Sequence, residues 1–220
     1  MPAADTGTVV QSVDAVIPAY NEGPRVLAVA RIARDSGLFG RVIVVDDGSS
    51  DDTAAVVTAE SGLELVRHER NRGKSQAMRS GFEASQAELL CYLDADLLNV
   101  TASHLADLLE PVRSGRHSAS LAVFTGGRAL TSLAQRISPL ISGQRCIRRE
   151  LLESFTDWDS RFGVESSLND HLEKLGVEQC IVEWPGAAQV MKEEKRGCIA
   201  GFTARLGMYR DILASRLRRH

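Results

Sequence analysis

At 220 residues and 23.9 kDa, with 44% hydrophobic and 25% charged residues, the chain suits one globular domain with a substantial core. A formal net charge of -3 and a pI near 6.0 exclude a generally nucleic-acid-binding surface. No apolar run reaches the roughly 18–20 residues of a bilayer span. Cys91, Cys146, Cys180 and Cys198 lack CxxC or zinc spacing and read as buried or free thiols of a reducing cytoplasm.

Residues 1–12 are small and polar, without a signal-peptide apolar region, and read as a loose leader. Val13 to Pro18 reads as a strand, and Pro24 to Asp35 as a helix with Val26, Leu27, Ala30 and Ile32 apolar. Arg41 to Val45 is a second strand, and the acidic, Gly/Ser-rich turn after it leads to a helix near Asp52–Ser61. Leu63 to Val66 follows as a strand, Lys74 to Gln86 as a helix, and Leu89 to Asp94 as a buried strand. This alternation predicts an α/β fold with a mostly parallel central sheet flanked by helices. Beyond it, Thr101 caps a helix with Leu105, Leu108 and Leu109 inward and Pro111 near its end. Ser118 to Phe124 and Ser142 to Ile147 read as strands, with a helix over Arg128 to Ile137 between them. Arg148 to Phe155 and Val164 to Leu175 read as helices, Glu178 to Trp184 as a strand, and Gly197 to Arg218 as a long terminal helix.

The most informative stretch is the apolar strand that ends in Leu93-Asp94-Ala95-Asp96. Residues i and i+2 of an extended segment point the same way, so Asp94 and Asp96 can converge on one hard cation at a strand's carboxyl end. That pattern suits metal-assisted chemistry on a phosphate-bearing substrate; a turn or a helix cap is the plain alternative. Asp47, in Asp46-Asp47-Gly48-Ser49, either caps a turn or accepts from a nucleobase N–H. Lys74 opens a helix whose amide-rich start can receive an anion, on one face with Ala77, Met78 and Gly81; an ordinary surface lysine is the alternative. Glu165 heads a stripe of Leu168, Leu172 and Leu175, either as a helix cap or as a carboxylate facing a cleft. Gln144 and Arg145 offer an amide and a fixed cation for a phosphate or carboxylate, with a structural salt bridge as the plain alternative. Neither GxGxxG nor GxxxxGK[ST] is present, which sets aside dinucleotide and Walker-loop readings.

In order and spacing, "VIPAYNE" (Val16–Glu22), "VIVVDDGSSDDT", "NRGKSQAMRSGF", "LDAD", "SGQRCIRRELL", "GVESSLNDHLEKLG" and "VMKEEKRG" (Val190–Gly197) resemble the family 2 glycosyltransferases of the GT-A fold. The nearest subgroup looks dolichyl-phosphate-mannose-synthase-like or glucosyl-phosphoglycerate-synthase-like. The resemblance implies a single GT-A domain over 13–220, Rossmann-like, with a nucleotide-binding half at 13–98 and an acceptor half plus amphipathic terminal helix at 99–220. It implies that Pro18, Ala19, Tyr20 and Glu22 line the nucleoside site, with Asp47 reading the base and Lys74, Asp94 and Ala95 beside the nucleotide-sugar. Asp94 and Asp96 would hold Mg2+ or Mn2+ on the diphosphate, with Asp96 and Glu165 catalytic. Gln144, Arg145 and Glu165 would face donor sugar and acceptor. Related sequences often carry a metal-ligating His shortly before the "KEEK" run, where this chain has Gln189.

The implied activity is metal-dependent transfer of a hexosyl group from a UDP- or GDP-sugar to a small phosphorylated or polyprenyl-phosphate acceptor. A sugar-1-phosphate nucleotidyltransferase and a degenerate sugar-nucleotide-binding module are the alternatives. The terminal stripe of Ile199, Phe202, Leu206, Tyr209, Leu213 and Leu217 suits core packing or a homodimer contact. Its flanking Arg205, Arg210, Arg216, Arg218 and Arg219 also suit peripheral contact with an anionic inner membrane face by a cytoplasmic protein.

Overall fold

The computed structural model describes residues 11–125, 142–159 and 163–189. The helices expected over 128–137 and 197–218, and the 190–197 motif, lie outside the described residues. The chain forms two compact units, Met1–Ala188 and Gln189–His220, and the sheet belongs to the first.

Seven strands build that sheet: β1 (Val13–Ala19), β2 (Arg41–Asp46), β3 (Glu64–Arg67), β4 (Leu89–Tyr92), β6 (Ala119–Thr125), β7 (Arg145–Arg148) and β8 (Gln179–Pro185). Their order is β3-β2-β1-β4-β7-β6-β8. A two-residue β5 (Leu97–Leu98) lies outside it. All pairings are parallel except those of β7, which runs antiparallel to both β4 and β6. The mostly parallel sheet expected from the alternation is present. The reversed β7 was not legible in that alternation, because an apolar run does not encode strand direction.

Period-two alternation sends each central strand's side chains into two separate cores. Val13, Ala15, Ile17, Val42, Val44, Leu89 and Cys91 face one core. Val16, Ile43, Val45, Leu90 and Tyr92 face the other. Helices α1 (Gly23–Asp35) and α4 (Ala102–Arg113) cover the first face with Val26, Val29, Leu105, Leu108 and Leu109. Helices α3 (Lys74–Ala84) and α6 (Val164–Lys174) cover the second with Ala77, Met78, Leu168 and Leu172. Each large apolar side chain so buried contributes roughly 1.5–3 kcal/mol. The two short helices are α2 (Thr53–Ala59) and α5 (Arg149–Glu153).

Two expectations need correction. β4 stops at Tyr92, not Asp94: its ladder with β7 ends at the Tyr92–Arg145 pair and its register with β1 at Tyr92–Val16. Leu93 still donates its N–H to the Val16 carbonyl (3.0 Å) and is buried in the first core. Asp96 therefore sits in a turn, and the alternation of an extended strand does not align it with Asp94. Leu175 leaves the α6 stripe: it caps the helix C-terminus and is 47% exposed. Among the described residues no helix is long and apolar enough to cross a membrane.

Candidate active site

Parallel strands deliver their following loops to one edge of a sheet, where open α/β folds collect ligands. Here that edge receives Tyr20–Glu22 after β1, Asp47–Asp52 after β2 and Leu93–Asp96 after β4. Because β7 is reversed, its start, not its end, reaches this edge, which brings in Ser142–Arg145. The starts of α3 and α6 add Lys74 and Glu165.

The β1 and β2 loops are laced together. Asn21, at φ 55, takes a hydrogen bond from the Ser50 backbone on its Oδ1 (2.9 Å), and its own N–H donates to Ser49 Oγ (2.9 Å). Glu22 N–H donates to Thr53 Oγ1 (2.9 Å), and the Glu22 carboxylate pairs with Arg25 at 2.7 Å. Pro18 and Ala19 pair with Val45 and Asp46 in the ladder, while Tyr20 stands 47% exposed beyond it. The anion at the start of α3 is Asp47 itself. Its Oδ1 accepts from Arg72 N–H (2.9 Å) and its Oδ2 from Gly73 N–H (2.7 Å). A carboxylate so placed complements the helix dipole. His68 Nδ1 approaches Asp47 Oδ1 at 2.7 Å, while its Nε2 lies 2.8 Å from Ser80 Oγ. An ionised carboxylate only accepts, so Nδ1 carries a proton. Of roughly four lone-pair sites on Asp47, three are taken. Gly48 completes the turn at φ 72, where a Cβ would lie 2.4 Å from the Arg70 carbonyl carbon.

The second constellation is charged. Lys74 Nζ lies 2.6 Å from Asp94 Oδ1 and 2.6 Å from Glu165 Oε1. Gln144 Nε2 donates to the other oxygen of Asp94 at 2.7 Å. Gln144 Oε1 is 3.0 Å from Ser142 Oγ, whose hydroxyl donates to the Ala122 carbonyl. Arg145, fully buried, donates to the Ser142 carbonyl (2.6 Å) and to Asn169 Oδ1 (3.2 Å). Its buried Nε–H has no hydrogen-bond partner among the described residues. Gly143 is required by contact: a Cβ there would meet both Asp94 oxygens and Lys74 Nζ at 2.5–2.7 Å.

Burial disfavours the charged form of every group here, and pairing reverses that for some of them. Lys74 loses water, yet the charges of Asp94 and Glu165 and their hydrogen bonds hold its ammonium above the usual lysine range. Burial likewise pushes Glu165 up, but Lys74 more than compensates and keeps the carboxyl below its ordinary value. For Arg145 burial wins and lowers the guanidinium, with Glu165 and Asp94 opposing.

Of the candidates read from sequence, the structure thus gathers Lys74, Asp94, Gln144, Arg145 and Glu165 into one cluster. Asp96 is buried nearby in the chain, 6% exposed, on the Ala95-Asp96 turn into β5. Gln189 falls in the second unit. His68, Ser80, Ser142 and Asn169 were missed. Asn169 alone had a signal, standing four residues after Glu165 on the same helical face. Among the described residues no three His, Cys, Asp or Glu side chains are grouped to hold a metal. Asp94 and Asp96, at 8% and 6% exposure, are the buried carboxylates of the β4 loop and have the hard oxygen donors that a divalent cation takes. Mg2+ is commonly held by one or two carboxylates, with substrate phosphates and water completing its shell.

Comparison with known proteins fits this layout. Undecaprenyl-phosphate 4-deoxy-4-formamido-L-arabinose transferase of Yersinia enterocolitica is 31% identical, over 66% of this chain and 51% of its own. Glycosyltransferase AglD of Haloferax volcanii is 34% identical, over 58% and 21%. The chain thus spans about half the length, or less, of these curated relatives. Among solved structures, glucosyl-3-phosphoglycerate synthase from Mycobacterium tuberculosis, in complex with Mn2+, UDP and glucosyl-3-phosphoglycerate, is 26% identical. It matches with a TM-score of 0.66 over 90% of this chain and 81% of that one. The same enzyme with Mg2+ and UDP matches at 0.65 and 26% identity, over 90% and 80%. The model for "Glycosyl transferase family 2" matches residues 14–172, a span running from β1 through the Lys74–Asp94–Glu165 cluster, and the chain belongs to that family.

Proposed function

We propose that this chain transfers a hexosyl group from a UDP- or GDP-sugar to a small phosphorylated or polyprenyl-phosphate acceptor. The observation that carries the reading is the convergence of Lys74, Asp94, Gln144, Arg145 and Glu165 at the sheet's carboxyl edge. Two cations suit phosphate, and the amide and carboxylates suit sugar hydroxyls. The solved relatives carry UDP with Mn2+ or Mg2+, and one curated relative is named for an undecaprenyl-phosphate acceptor.

In this reading Pro18, Ala19, Tyr20 and Glu22 frame the nucleoside, with the exposed Tyr20 ring as a stacking surface. Asp47 uses its remaining lone pair for a base N–H, held in place by Arg72, Gly73 and His68. Asp94, Ala95 and Asp96 take the diphosphate end, with the two carboxylates holding Mg2+ or Mn2+. When bound, the ion offsets the charge that develops on the leaving diphosphate. Arg145, fully buried, holds the Ser142 carbonyl and Asn169 and lends its positive charge to this phosphate-binding edge. Gln144 orients Asp94 and reaches toward the donor sugar.

Glu165 stands on the acceptor side. Paired with Lys74 it is ionised and a weak base, which suits positioning of the acceptor hydroxyl. It gains proton affinity only when Lys74 moves away. An inverting reaction requires that gain, because a base must then deprotonate the acceptor; a retaining one does not.

Donor turnover in Asp96→Ala and Glu165→Gln variants tests the reading. Each is expected to lose about 100-fold or more in kcat, as when a group stabilising transition-state charge is removed. Near-wild-type rates in both would sink the assignment. A second reading, a sugar-nucleotide-binding module without transferase activity, is favoured by the occupation of both Asp94 oxygens by Lys74 and Gln144. Calorimetric donor binding without turnover of any acceptor or of water would select it.

A further inference from the structure

One ammonium ties together three elements. Lys74 starts α3, Asp94 follows β4 and Glu165 starts α6, and Nζ sits 2.6 Å from a carboxylate of each of the last two. Lys74 already supplies a cation to Asp94 Oδ1, and Gln144 holds Oδ2. A Cβ at Gly143 would meet both Asp94 oxygens and Lys74 Nζ at 2.5–2.7 Å, so the backbone there packs closely on this pair, while the Lys74 side chain itself is 36% exposed.

We propose that Lys74 is an exchangeable counter-ion: it pairs with Asp94 and must be transferred to the donor's diphosphate before a divalent ion can settle there. The inference rests on the reading of Asp94 and Asp96 as metal-holding residues and adds a rule of binding order to it. A divalent ion arriving alone meets an ammonium at contact distance, and like charges in a partly buried site repel strongly. A divalent ion arriving with a diphosphate brings the anion that Lys74 can move to. Metal and nucleotide therefore bind with strong mutual dependence, and such coupling is reciprocal. The same transfer strips Glu165 of its partner, so the acceptor-side carboxylate becomes more basic only once the donor is seated. Donor would precede acceptor for an electrostatic reason.

The test is calorimetric titration of MnCl2 alone, then of MnCl2 with UDP and in parallel with GDP, into wild type and Lys74→Met. Coupling of this kind typically amounts to about 5–150-fold. Lys74→Met is expected to bind Mn2+ alone at least about ten-fold more tightly than wild type. The gain in Mn2+ affinity on adding nucleotide should shrink correspondingly. In an Asp94→Asn background the same Lys74→Met change should alter Mn2+ affinity by less than about three-fold, since the contested ligand is gone. Lys74→Gln, which can still hydrogen-bond both carboxylates, should give the same sign if the Met variant folds poorly. Unchanged or weaker Mn2+ binding in the folded variant overturns the exchange, as does a gain that persists in Asp94→Asn. Absence of Mn2+ binding by wild type with either nucleotide would instead overturn the metal-holding reading, and the exchange with it.

Discussion

At the scale of single residues the site is an exercise in charge matching, and its acid limit can be worked out. Glu165 lies below its ordinary value of 4.5, so the stability it lends is complete above that pH and is lost as the pH falls through the folded value. Lys74 lies above 10.5, so its share is complete below 10.5 and is lost as the pH rises through its folded value. Urea unfolding of wild type and Glu165→Gln from neutral to about pH 3 should therefore show a difference that closes below 4.5. A difference that stayed constant over that range would mean that Glu165 is not the ionised partner of Lys74. The residues legible beforehand were those whose chemistry is written locally. Asp94 ends an apolar run, Lys74 opens a helix, and Glu165 heads a stripe. His68, Ser80 and Ser142 carry no such mark: His68 meets Asp47 across 21 residues, and Ser142 meets Ala122 across 20. A lone His or Ser acquires meaning only when the fold supplies its partner.

At the scale of elements, a helix cap was read directly from the sequence, whereas the ends of helices and strands alike shifted by a few residues. Thr101 was expected to cap, and it does: its Oγ1 accepts from His104 N–H at 3.3 Å, and His104 Nδ1 accepts from Thr101 N–H at 3.3 Å. Cap loss typically costs about 0.5–2 kcal/mol. Bonds this long place Thr101→Ala near about 1 kcal/mol, with Thr101→Ser recovering most of it. Chemical denaturation decides the point; an unchanged midpoint would leave α4 held by packing alone. His104 also stacks on Trp184 at 5.5 Å, so its ring is fixed whether or not the cap forms. Among the strands, β2 was legible because Val42 to Val45 is buried on both faces, whereas β4 ends at Tyr92, where its registers with β1 and β7 both end. Pairing partners decide such limits, and one segment read alone does not contain them.

At the scale of the whole molecule, the position of the candidate site follows from strand polarity. Six of the seven sheet strands point one way, so one edge collects Asp47, Asp94 and the start of α3, and the reversed β7 adds Gln144 and Arg145 to the same edge. The opposite edge holds the connections 36–40, 85–88 and 114–118, which tie strands to preceding helices and carry none of the proposed site residues. Ligands that bind only the native state stabilise it by mass action, about 2.7 kcal/mol at a hundred times Kd. That stabilisation has a spatial signature as well as a size, because local opening is suppressed where the ligand touches. Hydrogen exchange with UDP or GDP and Mn2+ is expected to gain protection in 47–53, 71–76, 93–96 and 142–145. Protection should remain unchanged at the opposite edge. Asp96→Ala should lose most of the effect at 93–96 while keeping part of it at 47–53, since base and diphosphate are held by different loops. Protection spread evenly over both edges, or concentrated at 85–88, would place the ligand elsewhere and detach the carboxyl edge from the chemistry assigned to it.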